Sequence, residues 1–123
     1  MSTYGGMSLG IVTALKAAGY GTDAKPLPLI TAQDAEVPTM KSIAAGEISM
    51  SILKDFRITC QKAMEAAQCI INGEDVPIND TESYDNGAFI VPTYLCDITV
   101  FDIDNMKEVT VDSGLFTYEE IYG

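Results

Sequence analysis

Apolar residues in the first 73 positions recur at helical spacing in three segments, each followed by a glycine. The segments cover residues 6–18, the stretch from Glu36, and residues 56–72. Apolar side chains three and four positions apart lie on one helix face, and a glycine after the last turn is typical of a helix end. We therefore predict three amphipathic helices. Their expected inward-facing residues are Met7, Ile11, Ala14, Leu15 and Ala18; Val37, Met40, Ile43 and Ala44; and Phe56, Cys60, Ala63, Met64, Ala67 and Ile71.

Two short segments between these helices favour strands. The stretch "KPLPLIT" ends at Thr31, and its prolines restrict strand pairing to the part after Pro28. The stretch "ISMSILK", residues 48–54, alternates in polarity before it becomes apolar, and Asp55 behind it is a favourable N-cap for the third helix. Strands that alternate with helices predict right-handed crossovers onto a largely parallel sheet.

The second half of the chain has a different pattern. Residues 72–87 form a polar connection rich in turn residues, and "AFIVPTYLCDITVF", residues 88–101, holds strand-forming residues interrupted by Pro92. The stretch "KEVTVDSG" predicts another short strand, and the closing "TYEEIYG" predicts a final helical turn. We therefore expect a β-rich tail after the third helix.

The order of these elements predicts an α/β fold with three layers, α/β/α, around a mainly parallel sheet. Two features indicate part of a larger fold. The chain opens directly on a helix with no strand before it, and a parallel sheet of two or three strands is thin for such a domain. We expect residues 1–123 to form a single partial domain.

Charge and hydropathy exclude several classes of partner. The net charge of the 123 residues is −11, with only seven lysines and arginines. A nucleic-acid binder needs basic residues to displace phosphate counterions, and an anionic membrane surface would repel this chain. No apolar run approaches the roughly 20 residues that span a bilayer. We expect no nucleic-acid partner and no membrane span.

The chemistry available to the chain is limited because it contains no histidine. That absence excludes serine–histidine and cysteine–histidine catalysis within the chain and removes the commonest zinc ligand. The acidic run "EDVPINDTESYDN" lacks the spacing and glycine of an EF-hand calcium loop. Three cysteines, Cys60, Cys69 and Cys96, lack CxxC spacing, and we expect free thiols. We expect no metal and no cofactor.

With these elements in place, the chain resembles the C-terminal portion of periplasmic sugar-binding proteins that serve ABC importers. They have the type I periplasmic-binding fold, and the similarity is to the xylose and multiple-sugar subgroup. The matching stretches are "STYGGMSLGIVTALKAAG", "PLPLITAQDAEVPTMKSIAAGE", "SMSILKDFR" and "VPTYLCDITVFDIDNMKEVTVDSGLFTYEEI". Together they cover nearly the whole chain, in the family's order.

The resemblance implies a two-lobed protein that closes on a monosaccharide and delivers it to an ABC permease. The present chain would be most of the C-terminal lobe, with the last hinge crossing within residues 88–123, and the N-terminal lobe would be missing. The complete protein would be periplasmic or a cell-surface lipoprotein. No signal peptide is visible in "MSTYGGMSLG", and leaders precede the first lobe. The isolated chain is expected to bind sugar weakly and could self-associate.

Four residues are candidates for contact with the sugar. Asp34 follows the "PLPLIT" strand at the edge where α/β sheets bind ligands, and the resemblance implies that it accepts sugar hydroxyls; the alternative is a helix cap. Lys54 ends the next strand and either reaches a sugar oxygen or is solvated. The resemblance places Tyr4 against a sugar ring, although Gly5 stands where the family has an acid or amide. Gln33 is a further candidate.

Three other functions fit parts of the sequence. The effector domain of a LacI-type sugar-responsive regulator shares the fold, but such a protein needs a helix-turn-helix ahead of it. An acid–base enzyme would pair Asp34 with Glu36 or Asp55, yet no second acid stands at a defined separation. An acidic interaction domain that oligomerises through uncovered sheet edges is the third. We expect a binding protein rather than an enzyme.

Overall fold

The computed structural model describes residues 2–123, which form two compact units. The first unit comprises residues 2–53 and 99–123, and the second comprises residues 54–98. In chain order the elements are α1 (Gly5–Ala17), α2 (Val37–Ala44), β1 (Ser51–Leu53), α3 (Phe56–Asn72), β2 (Thr99–Phe101), a π-helix (Lys107–Asp112) and α4 (Tyr118–Tyr122). No helix within the described range is long and apolar enough to cross a membrane.

The core of the first unit lies around α2. Met40 and Ile43 are buried on this helix, as the periodicity predicts, whereas Ala44 is exposed. Pro38 lies in the first turn, where a missing backbone N–H costs nothing. The remaining buried apolar residues come from α1, β1, β2, α4 and the connecting segments: Val12, Ile30, Ala32, Ile48, Leu53, Phe101, Met106 and Ile121.

The buried face of α1 differs from the predicted one by a single position. Met7 and Ile11 are 46% and 38% exposed, whereas Gly5, Ser8 and Val12 are buried. Small residues at Gly5 and Ser8 let the backbone of α1 approach its neighbours, and the Ser8 hydroxyl donates a hydrogen bond to the Thr31 carbonyl at 3.0 Å. The prediction is confirmed for Leu15, which packs against the core, and wrong for Met7 and Ile11, because apolar spacing does not count the small residues that permit close packing.

The sheet combines parallel and antiparallel pairing around β1. The segment after "PLPLIT" runs parallel to β1: Ala32 N–H donates to Met50 O at 2.9 Å and Asp34 N–H donates to Ile52 O at 2.8 Å. The two prolines lie outside this paired stretch, as expected, because proline has no backbone N–H to donate to a neighbouring strand. β2 pairs antiparallel with β1, with Ser51 opposite Phe101.

The tail after residue 88 contains less strand than predicted. Only Thr99–Phe101 forms a strand there, and the stretch predicted as a strand from "KEVTVDSG" is the π-helix instead. Met106 and Thr110 explain the difference, because both are fully buried, and the Thr110 hydroxyl donates to Met106 O at 2.7 Å. A side-chain hydrogen bond to the carbonyl four residues earlier needs a helical turn. The predicted closing helix is confirmed as α4, which begins with a capping box between Thr117 and Glu120.

The second unit consists of α3 and the polar loops that follow it. The predicted N-cap is confirmed, since Asp55 Oδ1 accepts from Arg57 N–H at 2.9 Å. The Arg57 guanidinium also bonds this carboxylate and lowers the pKa of Asp55. The helix ends at Gly73, with φ 70°. None of the α3 residues is buried, so the inward face expected for Phe56, Met64 and Ile71 is not covered.

Candidate functional site at the Asp34 turn

The turn between the parallel segment and α2 contains an unusual backbone conformation. Asp34 has φ 72° and is, among residues 2–123, the single non-glycine residue with positive φ. Left-handed backbone is disfavoured for residues with a Cβ, although aspartate and asparagine tolerate it better than most. Asp34 is half-buried, and the N-cap of α2 is Glu36, two residues further on.

Two hydrogen bonds to β1 fix the backbone of Asp34. Its N–H donates to Ile52 O at 2.8 Å, and its carbonyl accepts from Ser51 Oγ at 2.9 Å. Ser51 is completely buried. Because both backbone groups of Asp34 bond to successive residues of one strand, the Asp34 carboxylate is attached to a rigid support rather than to a mobile loop.

A group of hydroxyls fastens the start of this turn to α1. Ser8 Oγ and Ser2 Oγ donate to Thr31 O at 3.0 and 3.2 Å, and the two serine hydroxyls contact each other. Ser2 Oγ also lies 3.1 Å from Tyr4 O. The segment before α1 and the segment before Asp34 are therefore held side by side.

The first turns of α1 and α2 are in close contact. A Cβ placed on Gly5 would collide with Thr39 Oγ1 and stand 2.8 Å from Glu36 Oε2. Neither helix has an acidic residue in its first turn or a side-chain hydrogen bond from its N-cap residue. Thr31 Oγ1 and Thr39 Oγ1 are buried without a hydrogen-bond partner. The two helix starts that lie in contact therefore both have first-turn N–H groups without a side-chain cap.

This contact explains why glycine stands at position 5. The resemblance implies an acid or amide there, but in this chain any side chain would displace Thr39 or Glu36. Close packing of the two helices is therefore found at the position where the resemblance implies a polar side chain.

We predict that Gly5→Ala destabilises the chain and Gly10→Ala stabilises it. A methyl group at Gly5 collides with Thr39, and such overpacking costs about 1–3 kcal/mol. A methyl group at Gly10, on the same helix, meets nothing within 4 Å and improves helix propensity by about 0.8–1 kcal/mol. Urea unfolding followed by circular dichroism measures both changes. Equal midpoints for the two variants would contradict the close contact.

The structure places three of the four predicted site residues in the first unit. Tyr4 is 46% exposed, and its ring lies against Gly6, where a Cβ would stand 2.6 Å from ring atom Cε2. Gln33 is half-buried beside Asp34. Lys54 directly follows β1, is exposed and is the first residue of the second unit. The residues that sequence reasoning missed are Ser2, Ser8, Thr31, Thr39 and Ser51.

Electrostatic contacts also join the other ends of α1 and α2. Glu47 forms an ion pair with Lys16 and accepts from Ser42 Oγ at 2.7 Å. These hydrogen bonds lower the pKa of the Glu47 carboxyl group, with Lys16 the larger cause. No group of histidine, cysteine, aspartate and glutamate residues suited to a metal ion occurs within residues 2–123, and the three cysteines are free.

Comparisons with known proteins agree on one group of relatives. No protein-family profile matches the chain. It is 43% identical, over 95% of its length, to the multiple sugar-binding periplasmic protein SbpA of Azospirillum brasilense, and covers 32% of that protein. It is 37% identical, over 98% of its length, to the multiple sugar-binding periplasmic receptor ChvE of Rhizobium radiobacter, and covers 34% of it.

A solved structure extends the likeness to the fold. An ABC transporter solute-binding protein from Clostridium phytofermentans, with bound β-D-glucose, matches 93% of the chain with a TM-score of 0.81 and 38% sequence identity. The chain covers 34% of that structure. The expected α/β fold is therefore confirmed, and the chain spans about a third of the length of the relatives that it matches. Both curated relatives are multiple sugar-binding periplasmic proteins by name.

Proposed function

Because the chain belongs to the periplasmic sugar-binding proteins, of whose length it spans about a third, we propose that the complete polypeptide containing it captures a monosaccharide for an ABC importer. The ligand would be a sugar of the xylose, glucose or galactose kind, bound between two lobes. The names of the curated relatives and the glucose in the solved relative support this proposal. They favour transport over the alternative of a LacI-type regulator.

The Asp34 turn is the observation that carries the proposal. Ligands of α/β sheets bind beyond the carboxyl ends of the strands, and Asp34 follows the segment that pairs in parallel with β1. A carboxylate offers two oxygens to neighbouring sugar hydroxyls, and hydrogen bonds to a charged acceptor are stronger than neutral ones. A fixed turn also lowers the entropy cost of ordering the acceptor when the sugar binds.

The other candidates would contribute complementary contacts. Lys54 would donate to a sugar oxygen from the end of β1, and the Gln33 amide would offer a donor and an acceptor beside Asp34. Tyr4 would stack its exposed ring on the apolar face of the pyranose. The loss of a polar group at Gly5 would shift more of the binding free energy onto Asp34.

The proposal also covers the rest of the transport system. The complete protein would be periplasmic or a cell-surface lipoprotein and would dock on an ABC permease. The present chain would supply the C-terminal lobe, and the last hinge crossing would lie within residues 88–123. The boundary between the two compact units after residue 98 supports this position of the crossing.

A titration of both the complete polypeptide and the 123-residue chain tests the proposal. We expect calorimetry to give micromolar or tighter binding of at least one of xylose, glucose, galactose and arabinose to the complete polypeptide. The isolated chain should bind at least about a hundredfold more weakly, because contacts from one lobe do not offset the entropy of holding a small ligand. Absence of binding to the complete polypeptide would contradict the proposed function, and micromolar binding to the chain alone would contradict the two-lobed site.

A further inference from the structure

Ser51 is a buried polar residue that the proposed sugar contacts do not include. It lies at the start of β1, is fully buried, and pairs across the sheet with Phe101, which is also fully buried. A polar side chain in such surroundings needs a hydrogen-bond partner. Its hydroxyl donates to the carbonyl oxygen of Asp34 at 2.9 Å, 17 positions away in the sequence.

The residue that receives this hydrogen bond is the one in left-handed backbone conformation. Asp34 at φ 72° is held from one side by its own N–H, bonded to Ile52 O, and from the other by Ser51. Without the serine hydroxyl, the Asp34 carbonyl would lose this fixed donor from β1. The turn could then relax toward the negative φ values that residues with a Cβ prefer.

We propose that Ser51 is a positioning residue for sugar binding, which holds Asp34 in the left-handed conformation before the ligand arrives. The inference rests on the proposed role of Asp34 as the sugar acceptor. Ser51 itself does not touch the sugar, because it is buried and its hydroxyl is bonded to the turn. It acts by pre-ordering the carboxylate, so that less conformational freedom is lost on binding.

Ser51→Ala and the control Ser42→Ala test this role in the complete polypeptide. Ser42 is also a buried serine with one side-chain hydrogen bond. That bond goes to Glu47, near the C-terminal ends of α1 and α2 and away from the Asp34 turn. We expect Ser51→Ala to weaken the affinity for the sugar that the unchanged protein binds best by about five- to tenfold, the value of one hydrogen bond. Ser42→Ala should keep the affinity within about twofold. Its thermal unfolding midpoint should nevertheless fall by about as much as that of Ser51→Ala.

Amide hydrogen exchange supplies a readout that general destabilisation does not move. The N–H groups of Ala32 and Asp34 donate to successive acceptors of one parallel pairing, Met50 O and Ile52 O. In Ser51→Ala without sugar, exchange at Asp34 should accelerate at least about tenfold relative to exchange at Ala32. In Ser42→Ala the ratio of the two rates should stay as in the unchanged protein.

The outcomes separate this inference from the proposed function. If Ser51→Ala leaves the affinity within twofold, or weakens it no more than Ser42→Ala, Ser51 does not position the site. An unchanged exchange ratio also overturns the proposal. If the unchanged polypeptide binds no sugar, the proposed function is wrong, and the exchange ratio alone then decides whether Ser51 holds the turn.

Discussion

Replacing Asp34 by glycine should abolish most of the sugar affinity of the complete polypeptide while leaving its folding nearly unchanged. The carboxylate is proposed to accept two hydroxyls, and each hydrogen bond to a charged group contributes about 1.5–3 kcal/mol. Since about 1.4 kcal/mol corresponds to a tenfold change in the dissociation constant, we expect a loss of at least about a hundredfold. Calorimetric titration with the preferred sugar measures the effect.

Three substitutions at Asp34 distinguish the loss of the carboxylate from strain in the left-handed backbone. Glycine adopts φ 72° without cost, so Asp34→Gly removes the side chain alone. Asp34→Ala also removes the carboxylate but keeps a Cβ in left-handed backbone, so it should be less stable than Asp34→Gly by roughly 1–2 kcal/mol. Asp34→Asn keeps the conformational tolerance and the shape but loses the charge, and we expect an intermediate loss of affinity of roughly tenfold.

A matched control is available at Asp23, an exposed aspartate near the other end of α1. Asp23→Asn changes the net charge by the same amount as Asp34→Asn and should leave the affinity unaltered. If Asp34 only stabilises the turn, Asp34→Gly will bind sugar as well as the unchanged protein. That result would remove Asp34 from the binding site.

The helices could be predicted from the sequence because their signals are local. Glycines end α2 and α3, Asp55 caps α3, and Thr117 with Glu120 forms the capping box of α4. Each of these residues acts within one helical turn, so spacing along the chain is sufficient to identify it. The bounds of these elements accordingly agree with the predicted ones to within a few residues.

The details that packing determines could not be predicted in this way. Val109, Thr110 and Val111 have the β-branched composition of a strand, yet they lie in a π-helix, where the Thr110 hydroxyl bonds to the Met106 carbonyl. The rotation of α1 follows from Gly5 beside Thr39, a contact between residues 34 positions apart. Local propensity contains no information on such contacts.

The candidate site likewise has one part that the sequence predicts and another that only the fold shows. The sequence predicts Asp34 after a strand and before a helix, and the structure places it at the end of a segment paired in parallel with β1, three residues before α2. Its support by Ser51 is not visible, because a serine in "SMSILK" reads as an ordinary alternating residue. Only the fold brings that hydroxyl to the Asp34 carbonyl. The sequence thus points to Asp34 as the proposed acceptor, and the structure adds the Ser51 hydroxyl that bonds to its carbonyl.

Replacing Phe101 by alanine should have the largest effect on the stability of the chain. Phe101 is fully buried on β2 in the same core as Met40 and Met106. Removing a buried aromatic ring costs about 3–5 kcal/mol, a large part of the 5–15 kcal/mol that stabilises a typical domain. Because Phe101 pairs with Ser51, the loss would also loosen the strand that supports the Asp34 turn.

The neighbouring residue on β2 provides the control for this prediction. Val100 is 52% exposed, so Val100→Ala removes a similar kind of side chain from the same strand with little loss of burial. We expect it to change the free energy of unfolding by about 0.5 kcal/mol. Urea denaturation of both variants, followed by circular dichroism, should show a lower midpoint for Phe101→Ala alone. Comparable midpoints would mean that β2 is not part of the core, and the support of Ser51 by this strand would then have to be rejected as well.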